Sequence, residues 1–341
     1  MLALGNFESQ TLPAELRESI VKQASDLYST NADAGIHGAS EWLLRQLGAE
    51  IPGLGDPART ATPEAAAAGP HWQSTVEGHT FAVIDSRQTF TMGSPVTEPR
   101  RSTAEKPHAM LVGRTFAIGT KEVTNSQFRR FIRATGVKMP PVTRKYSPDD
   151  EGPMIMVAWY RAAQYCRWLS EQAGVPEEQM CYPPIEEIKE GMVPYPDYLT
   201  RTGFRLPTEA EWEFACRAGA VTSRSYGNSE ELLSRYGWYL ANAEDRAWRG
   251  GSLKPNDFGL FDMYGNTWEW CQESWNSYWQ SKATKDEADA TPLSDGSNRV
   301  LRGGSFDSPA KNVRSAYRDR LEKAFFGSDE IGFRVARTVG E

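Results

Sequence analysis

Between Gly259 and Trp270 the sequence packs two carboxylates, two glycines, an asparagine and four aromatics into twelve residues. A surface loop has no need of Phe261, Trp268 and Trp270, and an ordinary core strand does not carry Asp262, Asn266 and Glu269. The mixture predicts a turn held inside a core by polar contacts. Asp262 and Glu269 can converge on a hard cation, with backbone carbonyls around Gly265 and Thr267 completing the oxygen shell that Ca²⁺ prefers. The same stretch can also be a turn in which Asp262 and Asn266 cap backbone amides, and spacing alone does not separate the two.

Other chemistry-bearing residues read more plainly. Thr208 and Glu211 have capping-box spacing, so Glu211 belongs to a helix start, and Glu209 suits the positive end of the same helix. Arg302, Arg314, Arg318 and Arg334 are expected to pair with acids under loops. Gly303-Gly304-Ser305 has no lysine in phosphate-loop spacing, and there is no GxSxG elbow. Cys166, Cys181, Cys216 and Cys271 show no CxxC spacing, and Cys166 and Cys216 fall in helix-like sequence as buried thiols. The histidines are His37 at a helix start, His71 in a linker, and His79 and His108 at strand edges or in loops. His37 and Glu41 are four apart on a helix but have no partner histidine nearby.

The elements that must position these residues can be read in outline. The 341 residues suffice for one large domain plus extras, and 39% hydrophobic and 11% aromatic residues allow a large core. A formal net charge of -7, with acids and bases interspersed, argues against nucleic-acid binding. No run of eighteen apolar residues offers a membrane span, and Met1 to Glu8 lacks the features of a signal peptide, so a reduced cytoplasmic setting is expected. Residues 1–48 read as a helix pair. Pro13 opens the first helix, with a Leu16, Ile20, Ala24, Leu27 stripe; Ile36, Ala39, Leu43 and Leu47 line the second, which Gly48 stops. The pair either docks on the main domain or ends a longer helical array. Residues 49–75, rich in Gly, Pro and Ala, read as a linker. Residues 76–338 form the main domain. Short strands are expected at Thr80–Ile84, Thr89–Ser94, Arg114–Val123, Arg299–Arg302 and Gly332–Ala336. Helices are expected after Thr124, from Trp159 and from Thr208. Few strands, two or three helices and aromatic-anchored loops suggest an α+β class.

In order, the segments Phe90–Ser94, Lys121–Phe128, Val157–Trp159 with Ala162–Cys166, Arg205–Glu213, Gly259–Trp270, Arg299–Phe306 and Gly332–Arg334 resemble the formylglycine-generating enzyme, or sulfatase-modifying factor, family. The resemblance covers about residues 76–338. It implies an elaborated C-type-lectin-like domain with little regular structure and bound calcium. The family's calcium ligands fall on Asp262, Gly265, Thr267 and Glu269, which favours a structural Ca²⁺ there. A second family calcium site begins near Asn242, but its acidic ligands lie in an insertion that is short here.

The copper oxidases of the family carry two cysteines five residues apart, whose thiolates hold Cu(I). Counting back from Arg318, those positions hold Ala310 and Ser315, and no cysteine lies beyond Cys271, so no copper is expected. The family's non-heme iron sulfoxide synthases use an HxxxHxE arrangement that these four histidines do not supply. Whether the chain is an enzyme is thus left open. The favoured reading is a calcium-stabilised scaffold that binds a protein or peptide ligand, as do the variable proteins of diversity-generating retroelements. Asp307, Ser308, Asp319, Leu321, Phe325 and Phe326 are expected on its solvent-facing C-terminal loops, where a diversified surface would lie. The alternative is an oxidoreductase of the superfamily acting on a protein or small thiol. Similar cassettes also occur fused to bacterial serine/threonine kinases, which implies a sensor or scaffold role.

Overall fold

The computed structural model describes residues 2, 12–54, 71–75, 77–138, 144–275, 298–321 and 327–340. Two N-terminal helices, α1 (Ala14–Thr30) and α2 (Ala34–Gln46), pack against each other and onto the rest of the chain. Asp33 caps α2 by accepting the Ile36 N–H at 2.8 Å, and Gly48, at φ 62°, ends it. The inward stripe of α1 runs through Ala24 and Tyr28, while Leu16, expected inward, is 49% exposed. Tyr28 is drawn in because its ring stacks on His37 of α2 at 4.2 Å, and His37 stacks in turn on Trp72 at 4.0 Å.

The pair docks on the domain through glycine. A Cβ on Gly38 would stand 2.8 Å from Cα of Gly259, and one on Gly35 would stand 2.3 Å from the Asp257 carbonyl oxygen. Only glycine lets the helix backbone come this close to the loop. Phe261 then joins the apolar cluster of Tyr28, Trp42, Leu43 and Leu44. Lys121 pairs with Glu41, which also takes Arg45. Burial alone would raise the Glu41 carboxyl, but these two cations hold it down at about 2.

The strands form three sheets. The first has the order β1 (His71–Ser74), β2 (Thr80–Asp85), β5 (Thr115–Gly119), β11 (Ala336–Thr338), β6 (Phe204–Arg205). All its pairings are antiparallel. The second has the order β10 (Ile331–Gly332), β7 (Trp268–Ser274), β8 (Arg299–Arg302), β9 (Arg318–Leu321), and β3 (Thr89–Met92) pairs β4 (His108–Leu111) alone. His71 is therefore a strand residue, since its segment finds β2 as a partner, and the domain begins inside the stretch read as linker. The strand expected at Gly332–Ala336 is instead a crossing. Its ends belong to β10 and β11, and between them the Phe333 and Val335 carbonyls accept the N–H groups of Val123 and Gly119.

Helices α3 (Asn125–Thr135) and α5 (Glu209–Arg217) open on the capping boxes Thr124/Gln127 and Thr208/Glu211, while α4 (Trp159–Gln172) has no side-chain cap. Trp159, Tyr165, Phe128, Phe333 and Trp270 fill one core; Trp212, Phe116, Leu260 and Cys271 fill another. The four arginines expected under loops do pair with acids. Arg318 takes Glu209 at 2.6 Å, Arg314 takes Glu105 at 2.7 Å, Arg334 takes Glu269 at 2.6 Å, and Arg302 takes Glu213. Among the described residues no helix is long and apolar enough to cross a membrane.

Candidate functional site

Every residue from Gly259 to Trp270 is buried, as a turn inside a core requires. Its backbone is unusual in three places. Asp262 and Asn266 sit in the left-handed region at φ 57° and 61°, and Gly265 at φ 88°. A Cβ at Gly265 would fall 1.9 Å from the Trp238 carbonyl oxygen, so the position admits only glycine.

This turn aims three side chains at one corner. Asp262 Oδ2 accepts the Gly251 N–H at 2.8 Å, and Asn266 Oδ1 accepts the Trp248 N–H at 2.9 Å. The capping role open in the sequence is therefore real, and it is spent on the 248–251 loop. Asn266 Nδ2 donates to Oε1 of Glu122 at 3.0 Å, and Thr267 Oγ1 stands 3.5 Å from the same oxygen. The other oxygens, Asp262 Oδ1 and Glu122 Oε2, are buried and have no hydrogen-bond partner among the described residues. Burial pushes both carboxyls up: Asp262 to about 6, and Glu122 well above the usual range, with Asp262 and then Glu269 repelling its charge.

Glu269 is differently placed. Arg334 donates to both of its oxygens at 2.6 Å, and the Trp212 indole N–H donates to Oε2 at 2.7 Å. Against a Ca²⁺ shell, Asp262 keeps a buried oxygen without a donor, and Glu269, with two donors on Oε2 and one on Oε1, keeps an acceptor position on Oε1. No three described His, Cys, Asp or Glu residues gather as a ready metal cluster. Asn242 gives no support for a second cation. Its Oδ1 accepts the Tyr239 N–H at 2.8 Å and its Nδ2 donates to the Gly237 carbonyl at 3.0 Å, both within its own turn. Glu122 escaped the sequence reading because it lies 144 residues before Asn266.

The C-terminal segment carries no thiol chemistry. Ala310 lies in a short 3₁₀ turn whose carbonyl accepts from Arg224 at 2.8 Å, and Ser315 is buried with its hydroxyl 3.0 Å from that of Tyr264. The four cysteines are buried, reduced and far back in the chain. Burial pushes the Cys181 and Cys216 thiols up to about 11, and Cys166 and Cys271 well above their usual value. None is a ready thiolate.

Of the expected ligand-facing residues, Asp307 is exposed, Asp319 and Leu321 are half-buried on β9, and Phe325 and Phe326 lie outside the described residues. Leu321 packs against the core of Trp270 and Phe333. Ser308 corrects the expectation. It is buried, because its hydroxyl accepts the Ser305 N–H at 2.9 Å and so closes the Gly-Gly-Ser turn. Asp307 has company the sequence did not announce. Glu330, whose Oε2 accepts from Ser305 Oγ at 2.5 Å, is raised by burial and then by Asp307, Asp329 and Asp245. Beside them, half-buried Trp238 and Trp248 stack at 4.7 Å, half-buried Tyr146 stacks on Phe306 at 5.9 Å, and Arg246 lies 3.5 Å over the Trp248 ring. A separate groove of about 760 Å³, lined by Phe90, Phe214, Phe258 and Val221, has Arg217 as its one ionic group, and that is tied to Glu213 at 2.8 Å.

The family model of the sulfatase-modifying factor enzyme 1-like domain matches residues 75–339. The chain belongs to that family. A formylglycine-generating enzyme of Streptomyces coelicolor is 28% identical over 281 residues, covering 72% of this chain and 86% of the relative. The serine/threonine-protein kinase Pkn1 of Chlamydia pneumoniae is 28% identical over 256 residues, 69% of this chain but only 35% of the kinase. The chain thus spans about a third of that relative's length. Among solved structures, PvdO from Pseudomonas aeruginosa aligns with TM-score 0.63 at 24% identity, covering 78% of this chain and 96% of PvdO. Treponema denticola variable protein 1 aligns at 0.61 and 24%, covering 79% and 99%. The sulfatase-modifying factor domain here therefore has the elaborated C-type-lectin-like fold, with a helix pair before it.

Proposed function

We propose that this domain is a binding scaffold, stabilised by a cation at the Asp262 turn, which presents an aromatic and acidic face to a protein or peptide ligand. The observation that carries the reading is the lack of a thiolate where the family resemblance puts the oxidases' cysteine pair, on Ala310 and Ser315. Ala310 and Ser315 hold loop contacts, and every thiol of the chain is buried. The face is what remains available. Asp245 and Asp307 are exposed, Asp329 and Glu330 half-buried, and the rings of Tyr146, Trp238 and Trp248 lie beside them. Aromatic rings supply contact area at low entropic cost, and carboxylates in such numbers favour basic side chains. The likeness to a variable protein and to a kinase, in which the matching region is one part of a longer chain, supports a binding or scaffold role.

The test is a peptide-display selection on the purified chain. Peptides with Lys or Arg beside apolar residues should be enriched. The Asp307→Lys, Asp329→Lys double variant should lose them by about tenfold or more while melting within about 2 °C of wild type, since both positions are away from the core. Recovery of the same peptides on the variant, or no enrichment on the wild type, would remove this reading.

A further inference from the structure

Four buried arginines of this domain, Arg205, Arg302, Arg318 and Arg334, are each paired with a glutamate. Arg299, on β8, is just as buried and forms no ion pair among the described residues. Its Nη1 donates to the Gln272 carbonyl at 3.2 Å and to Ser274 Oγ at 3.4 Å, and its guanidinium lies 4.1 Å from the centre of the Trp159 ring. Its Nε–H is buried and has no acceptor. Neutral contacts of this kind leave most of a buried charge unanswered. Burial holds Arg299 below its ordinary value; Arg334 is no less buried, yet Glu269 raises it. Glu273, whose charge would favour Arg299, accepts instead from the Glu209 N–H and keeps its proton up to about 8.

A second donor without a partner stands beside it. The Tyr182 hydroxyl accepts the Leu206 N–H at 3.1 Å, so it donates to Gln272 Oε1, 2.5 Å away. That fixes the amide of Gln272, whose Nε2 is buried and has no acceptor. Gln272 and Ser274 share one face of β7, and Ser274 is the cross-strand partner of Arg299. The Tyr182 ring stands 6.2 Å from the Trp159 ring, so the amide and the guanidinium border the same aromatic wall. A buried cation and two buried N–H groups without acceptors call for an anion. We infer that a chloride ion binds between Arg299 and Gln272. Chloride is small and monovalent, which suits one cation and two donors among aromatic rings. A sulfate or phosphate would bring more oxygens than these donors can serve. The ion joins β7 to β8 where their register shifts, between Trp270 and Ser274, and the ladder is interrupted.

The experiment compares thermal melting in sodium chloride and in sodium gluconate at one ionic strength, and collects anomalous X-ray data from crystals grown in sodium bromide. Wild type should melt about 3 °C higher in chloride, and a bromide peak should stand beside Arg299. Gln272→Glu is the deciding variant. Its Oε1 still accepts from Tyr182, and its second oxygen gives Arg299 an anion of its own. In gluconate it should melt above wild type, and its chloride shift should vanish. Arg299→Met should lose the shift as well. If either variant fails to fold, the bromide peak in wild type still decides. A chloride shift that survives in Gln272→Glu places the ion elsewhere and overturns the site. A wild type with no chloride shift and no bromide peak overturns the anion, and an ordered water then takes both N–H groups.

Discussion

Arg334→Met should destabilise the domain by about 3–5 kcal/mol, the cost of leaving a buried carboxylate without its partner. Arg334 is fully buried and donates to both oxygens of Glu269, to the Gly119 carbonyl and to the Phe261 carbonyl. It therefore holds β7, β5 and the Asp262 turn with one side chain. Methionine fills similar volume but donates nothing, so four acceptor contacts are lost and Glu269 faces Glu122 and Asp262 uncompensated. Urea unfolding measures the loss. The double variant with Glu269→Gln should recover part of it, because the two residues act as a unit. A single-variant cost below about 1 kcal/mol, the range of surface pairs, would contradict this role.

Glu273→Gln should act in the opposite direction and stabilise the protein at alkaline pH. Glu273 is the last but one residue of β7 and is 8% exposed, and its Oε2 accepts the Glu209 N–H at 2.8 Å. Burial, and then the Glu209 carboxylate, push its carboxyl up to about 8. In the unfolded chain it titrates at its ordinary value of 4.5. Between those values the folded protein holds a proton that the unfolded chain has released. Stability is thus highest below about pH 4.5, falls as pH rises through that window, and levels off above about 8. Each pH unit is worth at most about 1.4 kcal/mol, so the difference across the window is about 3–5 kcal/mol. Glutamine keeps the acceptor for Glu209 and abolishes the titration. Unfolding curves at pH 5 and pH 8.5 should converge for the variant and diverge for wild type; equal slopes in both would contradict the assignment.

Local chemistry was legible in the sequence. The Thr208/Glu211 and Thr124 helix starts depend on residues within one turn, and both form. The arginine pairs under the loops were legible for another reason, since a buried arginine has to find acceptors, and for these four they are acids. What escaped depends on distant segments. Glu122 reaches Asn266 across 144 residues, and no periodicity encodes that meeting. Ser308 looked like a loop-tip hydroxyl, but a turn with two left-handed glycines brings the Ser305 amide onto it. The segment Gly332–Ala336 has strand composition yet is shared between two sheets, because Phe333 and Val335 answer Val123 and Gly119 on the way across. Leu16 fits a helical stripe, but the cluster that α1 joins takes Ile20, Val21, Ala24 and Tyr28, and Leu16, in the first turn, falls outside it.

In the function we propose, the family's fold here serves binding, without thiolate-copper oxidation. The direct measurement is oxygen uptake by the purified chain loaded with Cu(I) and supplied with cysteine-containing peptides, with the peptides then weighed by mass spectrometry. With Ala310 and Ser315 where the family resemblance puts the cysteines, and every thiol buried, uptake should not exceed that of copper and peptide alone, and no aldehyde should form. Stoichiometric Cu(I) binding with repeated conversion of a peptide cysteine to an aldehyde would contradict a binding role of this kind.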